Sequence, residues 1–317
     1  MEKQVFLGID TSNYTTSMAL ASGGEIIANL KAPLPVKEGE CGLRQSDALF
    51  AHIKNIPTLS SALKEVLGGV RPCAVGVSEK PRNQEGSYMP CFLGGVSAAE
   101  AIGASLGVPV FRFSHQCGHM RAAIYSSGAE HLLGSPFGAF HISGGTTEML
   151  YVMPSENGFL ANIVGGTRDL NAGQLIDRIG VALGLRFPAG PALEALASQN
   201  QKQVPLRKVK AEGGFVHLSG VENMARKLLE ESEDGALTAA FLLAYLSEAV
   251  ISMSCSLRER YGEKFPIVYA GGVMSNAQIR ERVTQKIENV YFAEPAFSSD
   301  NAAGIALLTE ERYRAGC

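Results

Sequence analysis

Two stretches of the sequence, "IDTSNYTTSMAL" (Ile9–Leu20) and "FHISGGTTEMLY" (Phe140–Tyr151), resemble each other at a separation of 131 residues, from Ile9 to Phe140. At this separation Ser12 falls on Ser143. In both stretches, an apolar run typical of a strand leads through a polar turn into a second such run. A repeated hairpin at this spacing predicts two related lobes that face each other across a cleft, with one turn from each lobe lining it. A coincidence between two unrelated hairpins is the alternative.

Short β-rich runs alternate with helical stretches along the chain, which predicts an α/β fold with layered sheets. Strands are predicted at "VFLGID", "TTSMAL", "EIIANLKA", "CAVGVS", "PVFRF", "GAFHI", "EMLYVM", "IVYAGG" and "VYFAE". Helices are predicted at Ser46–Leu67 (bent or broken at Pro57), Gly95–Leu106, His115–Tyr125, Asn171–Leu183, Ser219–Glu231, from Ala236 onward, at Ser275–Lys286 and at Asn301–Arg314.

The composition is typical of a soluble globular protein. The 317 residues, enough for two domains, are 46% hydrophobic and 19% charged, and the net charge of −3 argues against a surface coated in basic residues. Two modest basic clusters, "LRKVK" and "RERYGEK", either touch RNA or form solvated faces. The six cysteines lack C-x-x-C spacing and the start lacks a secretory signal, so we expect reduced thiols in a cytoplasmic protein.

One apolar run, Ala236–Cys255, is nearly long enough to cross a bilayer. Glu248 interrupts it, and the charged stretch "SLRERYGEK" follows directly. We therefore expect a long helix buried in the protein, and no membrane span.

The segment "FSHQCGHM" (Phe113–Met120) carries two histidines four residues apart. Ser114 is a good N-cap, which places His115 and His119 on one face of the first turns of a helix. They are either two ligands of a metal ion or two polar residues on the solvated side of a helix. A metal site needs at least one further ligand, usually an acid.

The two repeated turns are rich in small and hydroxyl residues, which let backbone N–H groups approach a phosphate. Asp10 ends the first strand and is suited to a cation, a water or a substrate donor. Hydrogen bonding within its own turn is the equally favoured alternative. In "YAGGVMSN", Gly271 and Gly272 either let a flat ring or a ribose lie against the backbone or only form a tight turn. Taken alone, Asp177 either faces solvent or pairs with neighbours of Arg178. Taken alone, Asp300 caps a helix.

The ordered set of motifs resembles one family over nearly the whole chain: "LGIDTS", "HQCGH", "ISGGTT", "GGTRDLNAGQLIDR", "FPAGPALEALA", "LSGVEN", "AGGVMSN" and "SDNAAGIAL". These are similar to the signatures of the tRNA threonylcarbamoyladenosine synthase family, once misnamed the O-sialoglycoprotein endopeptidases. The resemblance implies the two-lobed actin-like ATPase fold, with a duplicated β-sheet core and an interlobe cleft. We expect one lobe at residues 1–106, completed by residues 297–317, and the other at residues 107–296.

The family's activity is the transfer of a threonylcarbamoyl group from threonylcarbamoyl-AMP to N6 of the adenosine next to the anticodon in tRNA, usually with partner proteins. The resemblance implies metal ligands at His115, His119 and Asp300, with Fe²⁺ favoured over Zn²⁺, and an adenine nucleotide in the cleft. We assign Asp10 to the substrate as the catalytic residue. The implied substrate-binding residues are His141, Ile142, Ser143, Gly144, Gly145, Asp177, Gly190 and Asn276.

The sequence departs from the family at several acids. After "IDTS" the sequence reads Asn13-Tyr14-Thr15-Thr16 where the family has Cys-Asp-Glu-Thr, so two acids are missing, and Gln174 replaces a glutamate. These departures imply a divergent paralogue. A carbamoyl transferase with another acceptor, or a nucleotide-binding scaffold or regulator with impaired turnover, is the alternative. The presence of Gln116 in place of the glutamate of H-E-x-x-H argues against a metallopeptidase.

Overall fold

The computed structural model describes residues 4–12, 14–35, 43–156, 158–206, 208–298 and 301–316. These residues form two compact units. The first unit comprises the described residues of Met1–Tyr125, Pro154–Leu160 and Ser299–Cys317. The second unit comprises those of Ser126–Met153 and Ala161–Ser298.

The first unit is built around a five-stranded sheet in the order β3-β2-β1-β4-β5. Strands β1, β2 and β3 form an antiparallel meander, and β4 and β5 continue the sheet parallel to β1. The central strand β1 is buried along its whole length, as an apolar strand covered on both faces should be. The strands are β1 (Phe6–Ser12), β2 (Thr15–Ser22), β3 (Glu25–Pro33), β4 (Ala74–Lys80) and β5 (Val110–Ser114).

The second unit is built around a six-stranded sheet in the order β11-β10-β6-β7-β8-β9. Strands β6 and β7 form an antiparallel hairpin, and β10 and β11 continue the sheet parallel to β6. The strands are β6 (Phe137–Ile142), β7 (Thr147–Ser155), β8 (Gly158–Thr167), β9 (Phe215–Val216), β10 (Ile267–Ala270) and β11 (Val290–Phe292).

The helices divide between the two units. The first unit contains α1, α2, α3 and α10, and the second contains α4 to α9. Glu130–Leu132 and Gly272–Ser275 form short 3-10 helices. The α-helices are α1 (Gln45–Leu67), α2 (Phe92–Leu106), α3 (His115–Ser126), α4 (Ala172–Ala182), α5 (Gly190–Ala197), α6 (Ser219–Ser232), α7 (Gly235–Tyr261), α8 (Ala277–Lys286), α9 (Pro295–Ser298) and α10 (Ala303–Ala315).

Helix α10 lies directly on the middle of the first sheet, where two glycines permit the close approach. A Cβ atom on Gly8 would lie 2.5 Å from the backbone nitrogen of Ala306, and one on Gly76 would lie 1.8 Å from Oγ1 of Thr309. These two glycines are paired across β1 and β4. Any side chain at either position would push the helix away from the sheet.

The predicted repeat is confirmed in the strand order and in the register. The order β3-β2-β1-β4-β5 of the first sheet recurs as β8-β7-β6-β10-β11 in the second. In the first hairpin Asp10 pairs with Ser17, and in the second His141 pairs with Glu148. Both pairs are related by the same 131-residue shift that is visible in the sequence, so the two hairpins are equivalent pieces of backbone.

The nine predicted strands and the predicted helices are present, with ends that differ by a few residues. Strands β8 and β9 and helices α5 and α9 are not among the predicted elements. The expected boundary at residue 106 differs from the observed one, because β5 pairs with β4 and keeps residues 107–125 in the first unit. The segment Pro154–Leu160 also belongs to that unit.

The long apolar helix α7 is the core helix of the second unit. By length and composition it is the one helix among the described residues that could cross a membrane, but 67% of its apolar window is buried within the protein. Its buried side chains, among them Leu242, Leu246 and Met253, belong to the same core cluster as those of strands β6 and β10. This burial supports the expected core helix.

Candidate functional site

The carboxylate of Asp10 is held at the end of β1 by hydrogen bonds to both of its oxygens. The backbone N–H of Ser12 donates to Oδ1 at 2.7 Å, and Nδ1 of His115 lies 2.6 Å from Oδ2. Asp10 is only 1% exposed. Each of the two oxygens thus has a hydrogen-bond partner that fixes the orientation of the carboxylate. The catalytic role of Asp10 stays a prediction.

The two histidines lie on the first turns of α3, as their spacing predicts. Ser114 caps this helix, since its Oγ accepts a hydrogen bond from the backbone N–H of Cys117 at 3.2 Å. The rings of His115 and His119 stand edge to face, with centroids 4.2 Å apart. The side chain of His115 is 18% exposed and His119 is 7% exposed. The structure therefore brings two imidazoles together in one partly buried place.

The third predicted ligand, Asp300, lies outside the described residues. Its neighbour Asn301 is buried, and Oδ1 of Asn301 accepts a hydrogen bond from the N–H of Ala303 at the start of α10. The beginning of α10 lies against α3, because a Cβ atom on Gly304 would meet the carbonyl oxygen of Gly118 at 1.9 Å. Within the described ranges, no group of three or more His, Cys, Asp or Glu side chains is arranged to hold a metal ion.

A different kind of site forms in the second unit, where the turn after β6 lies against the start of α4. The N–H of Ser143 donates to the carbonyl of Thr146 at 2.8 Å and closes the turn. Nδ2 of Asn171 donates to the carbonyl of Gly145 at 3.0 Å. A Cβ atom on Gly173 would meet the carbonyl oxygen of Ser143 at 2.5 Å. The turn is thus fixed between two strands and the N-terminus of a helix.

Asp177 is hydrogen-bonded to the residue that precedes Gly190. Oδ1 of Asp177, on α4, accepts a hydrogen bond from the backbone N–H of Ala189 at 2.8 Å. Ala189 immediately precedes Gly190, the first residue of α5. The predicted mid-helix Asp therefore holds the loop that leads into α5.

Asn276 caps α8, and a glutamate that the sequence did not point to joins α5 to the same helix end. Oδ1 of Asn276 accepts from the N–H of Ile279 at 3.0 Å, and Asn276 is 8% exposed. Oε1 of Glu194, on α5, accepts from the N–H of Ala277 at 2.7 Å. At the end of β10, Gly271 has a φ of 99° and packs on the carbonyl of Ile142. The predicted residues of the second unit therefore converge at the carboxyl ends of β6 and β10.

Four glycines at this place are open on the side where a side chain would stand. Among the described residues, no atom lies within 4 Å of a Cβ built on Gly144, Gly145, Gly190 or Gly272, and none of the four has a positive φ. Glycine leaves room here for a ligand to lie directly against the backbone. The carboxyl ends of parallel strands next to helix N-termini are where α/β proteins bind nucleotides.

Asp169 anchors the loops next to this place, and the sequence reasoning missed it. Burial acts to raise the pKa of its carboxyl, but hydrogen bonds from Oγ of Ser219 and from the backbone N–H groups of Leu218 and Leu170 hold the pKa well below its usual range. The signal in the sequence was an Asp directly before a helix start, which is typical of local backbone capping.

The protein has the fold shared by the actin-like ATPases and the ROK sugar kinases. The structure is similar to component A of (R)-2-hydroxyglutaryl-CoA dehydratase from Acidaminococcus fermentans, with a TM-score of 0.57 and 18% identity over 99% of this chain and 100% of that one. It is also similar to a ROK family glucokinase from Streptomyces griseus, with a TM-score of 0.50 and 12% identity over 98% and 99% of the two chains. Identities this low establish the fold alone.

The sequence comparisons identify the family within this class. The family model described as tRNA N6-adenosine threonylcarbamoyltransferase matches residues 42–307. The enzyme of that name from Thermus thermophilus is 30% identical over 98% of this chain and 93% of its own length. That from Streptococcus suis is 28% identical over 99% and 94%. The chain belongs to the tRNA N6-adenosine threonylcarbamoyltransferase family.

Proposed function

We propose that this protein transfers a threonylcarbamoyl group from threonylcarbamoyl-AMP to N6 of the adenosine next to the anticodon in tRNA. Membership of the family supports the reaction class. The observation on this chain that supports the proposal is the space beside the backbone of four glycines in the second unit, Gly144, Gly145, Gly190 and Gly272. It offers an adenine nucleotide a place to lie against peptide groups and helix N-termini.

The transfer replaces one acyl bond with another. The N6 nitrogen of adenosine bonds to the carbamoyl carbon, the bond from that carbon to a phosphate oxygen breaks, and AMP leaves. The proton lost from N6 balances the charge on the departing phosphate. Backbone N–H groups of Gly144 and Gly145, beside the N-terminus of α4, would stabilise that phosphate. Asp177 and Asn276 would contribute by holding the loops of α5 and α8 in place.

A divalent metal is the proposed cofactor, held by His115, His119 and Asp300. The donor set fits: two imidazoles one helical turn apart with adjacent rings, and a carboxylate that precedes α10, whose start packs on α3. Two histidines and one carboxylate are typical of Fe²⁺ sites and also suit Zn²⁺, and we propose Fe²⁺. Such a metal would supply a positive charge that binds phosphate or polarises a carbonyl.

The test is mass spectrometry of tRNA nucleosides, with this protein as the only transferase. The assay contains threonylcarbamoyl-AMP, tRNA, Fe²⁺ and the partner proteins of the modification machinery. We expect the reaction to take place in the cytoplasm. Threonylcarbamoyladenosine should accumulate in the complete reaction. A lack of product would contradict the proposal when a family member that keeps all the acids is active in the same mixture.

A nucleotide-binding regulator with weak or absent turnover is the second candidate. Two exposed residues favour it, because Tyr14 is 44% exposed and Gln174 is exposed where the family has acids. This candidate predicts that calorimetry detects AMP or ADP binding while the tRNA assay yields no product. Turnover equal to that of a standard family member would exclude it and show that those acids are dispensable.

A further inference from the structure

One polar contact of His115 is to a carboxylate from a distant part of the chain. Oδ2 of Asp10 lies 2.6 Å from Nδ1 of His115, although 105 residues separate them. This is the short distance expected of a charge-assisted hydrogen bond. A ring nitrogen that donates to a carboxylate carries the proton, so the lone pair of a neutral ring is left on Nε2.

Asp10 is itself fixed by the sheet and not by its histidine. Its backbone lies in the β1–β2 ladder opposite Ser17, and Oδ1 accepts the N–H of Ser12 at 2.7 Å. The second oxygen therefore has a defined position before any histidine contacts it. Because Asp10 is 1% exposed, water competes little for that oxygen.

The backbone that carries His115 is held equally well. Ser114 caps α3 through the N–H of Cys117, and the N–H of Gln116 donates to the carbonyl of Pro81 at 3.0 Å. The thiol of Cys117 accepts from Nδ2 of Asn83 at 3.2 Å. With the carboxylate and the helix start both fixed, the contact between Asp10 and His115 sets how the ring is turned.

We propose that Asp10 is a positioning residue that orients His115 for a divalent metal and strengthens it as a donor, without touching the metal or the substrate. This inference rests on the metal site proposed above. Ligating histidines commonly donate their second ring N–H to a carboxylate, and loss of that partner typically weakens metal binding by about 10- to 100-fold. The proposal replaces a catalytic role for Asp10 with a role exerted through His115.

The experiment measures the affinity of the metal-free full chain for Co²⁺ and for Zn²⁺, each supplied alone, by competition with a chelator. Asp10→Ala should weaken binding by about 10- to 100-fold. Asp10→Asn should lose less, because its single amide oxygen can still accept from Nδ1, although the hydrogen bond from the N–H of Ser12 is then lost. The visible absorption of bound Co²⁺ should change in both variants, since the ring is no longer held in one orientation. Asp47→Ala, which removes an exposed carboxylate from α1 in the same unit, should leave both readouts unchanged.

Three outcomes would overturn the inference. Each can be distinguished from a negative result in the tRNA modification assay. Unchanged affinity and spectrum in Asp10→Ala and Asp10→Asn, with a lower melting temperature, would make the contact a structural ion pair. Loss of metal in Asp10→Asn as complete as in His115→Ala would make Asp10 a ligand. A wild-type chain that binds neither metal would remove the metal site together with this inference. The tRNA assay tests the transferase independently of all three.

Discussion

The hairpins β1–β2 and β6–β7 are the same piece of backbone used for two kinds of chemistry. Shifted by 131 residues, Asp10 falls on His141, and the ladders pair in the same register. In the first unit the strand end is closed: Asp10 is buried, and its carboxylate is bonded to a histidine. In the second unit the strand end is open: Gly144 and Gly145 are exposed, and no atom of the described part of the chain lies within 4 Å of a Cβ at either position. The duplicated fold thus has two equivalent strand ends. One carries a buried carboxylate that contacts a histidine, and the other exposes peptide groups without side chains.

The largest expected effect tests the role of the closed strand end in the first unit, where the histidine pair is proposed to bind metal. His115→Ala and Asp300→Ala should each remove most of the metal bound per chain, and the double variant should be little worse, because ligands of one ion act as a unit. Elemental analysis after purification without a metal-affinity tag measures this. His131→Ala, an exposed histidine of the second unit that contacts Tyr291, is the control. Full occupancy in Asp300→Ala would reduce Asp300 to a helix cap.

The open turn at Gly144 and Gly145 should lose nucleotide affinity when side-chain atoms are added to it. Gly144→Ala with Gly145→Ala should weaken adenine nucleotide binding by about tenfold, since two methyl groups would occupy the space of the ligand. The fold should tolerate both, because no atom lies within 4 Å of either Cβ position. Calorimetry with AMP, ADP and ATP is the measurement, and Gly134→Ala, equally open in the same unit, is the control. Unchanged affinity would place the nucleotide elsewhere.

Asp177→Ala should have a smaller effect on the same binding. It removes one hydrogen bond, to the N–H of Ala189, which is worth about 1 kcal/mol and corresponds to about fivefold in affinity. Amide hydrogen exchange in residues 187–190 should become faster, which shows that the loss acts through the loop. Val181→Ala, exposed on the same helix, should change neither quantity. Weaker nucleotide binding without faster exchange would indicate instead that Asp177 contacts the ligand directly.

The smallest expected effect concerns the acid that anchors loops in the second unit. The pKa of Asp169 is lower in the folded chain than in the unfolded chain, so its contribution to stability is complete above the unfolded pKa, near 4, and declines as the pH falls below it. Asp169→Asn should lower the urea midpoint at pH 7 and flatten its decline between about pH 5 and pH 3. Asp47→Asn, in the first unit, is the matched control. An undiminished acid decline in Asp169→Asn would assign the pH dependence to other carboxyls.

The sequence predicted what depends on local patterning. The repeat at Ile9 and Phe140 predicted the duplicated sheet order. The start of α3 was predicted from Ser114, and the shared face of His115 and His119 from their spacing. Strand β8 was missed because Asn162, Gly165 and Gly166 interrupt its apolar run and resemble turn signals.

Contacts between distant segments were beyond sequence reasoning. No spacing rule relates Asp10 to His115 across 105 residues, so the partner that engages the acid was not foreseen. The same limit applies to Glu194, which reaches the start of α8 from α5. The open faces of Gly144 and Gly190 likewise become meaningful only when their empty surroundings are known, because glycine in a sequence first suggests a turn.

The contact of α10 with Gly8 and Gly76 has a consequence for the order of events during protein synthesis. The strands that receive this helix leave the ribosome long before Ala303–Ala315 is translated. Until then one face of the first sheet has no cover, while the second unit, Ser126–Met153 with Ala161–Ser298, already contains all of its strands and helices. Nascent chains arrested before residue 303 should therefore expose apolar surface in the first unit and depend on a chaperone to remain in solution.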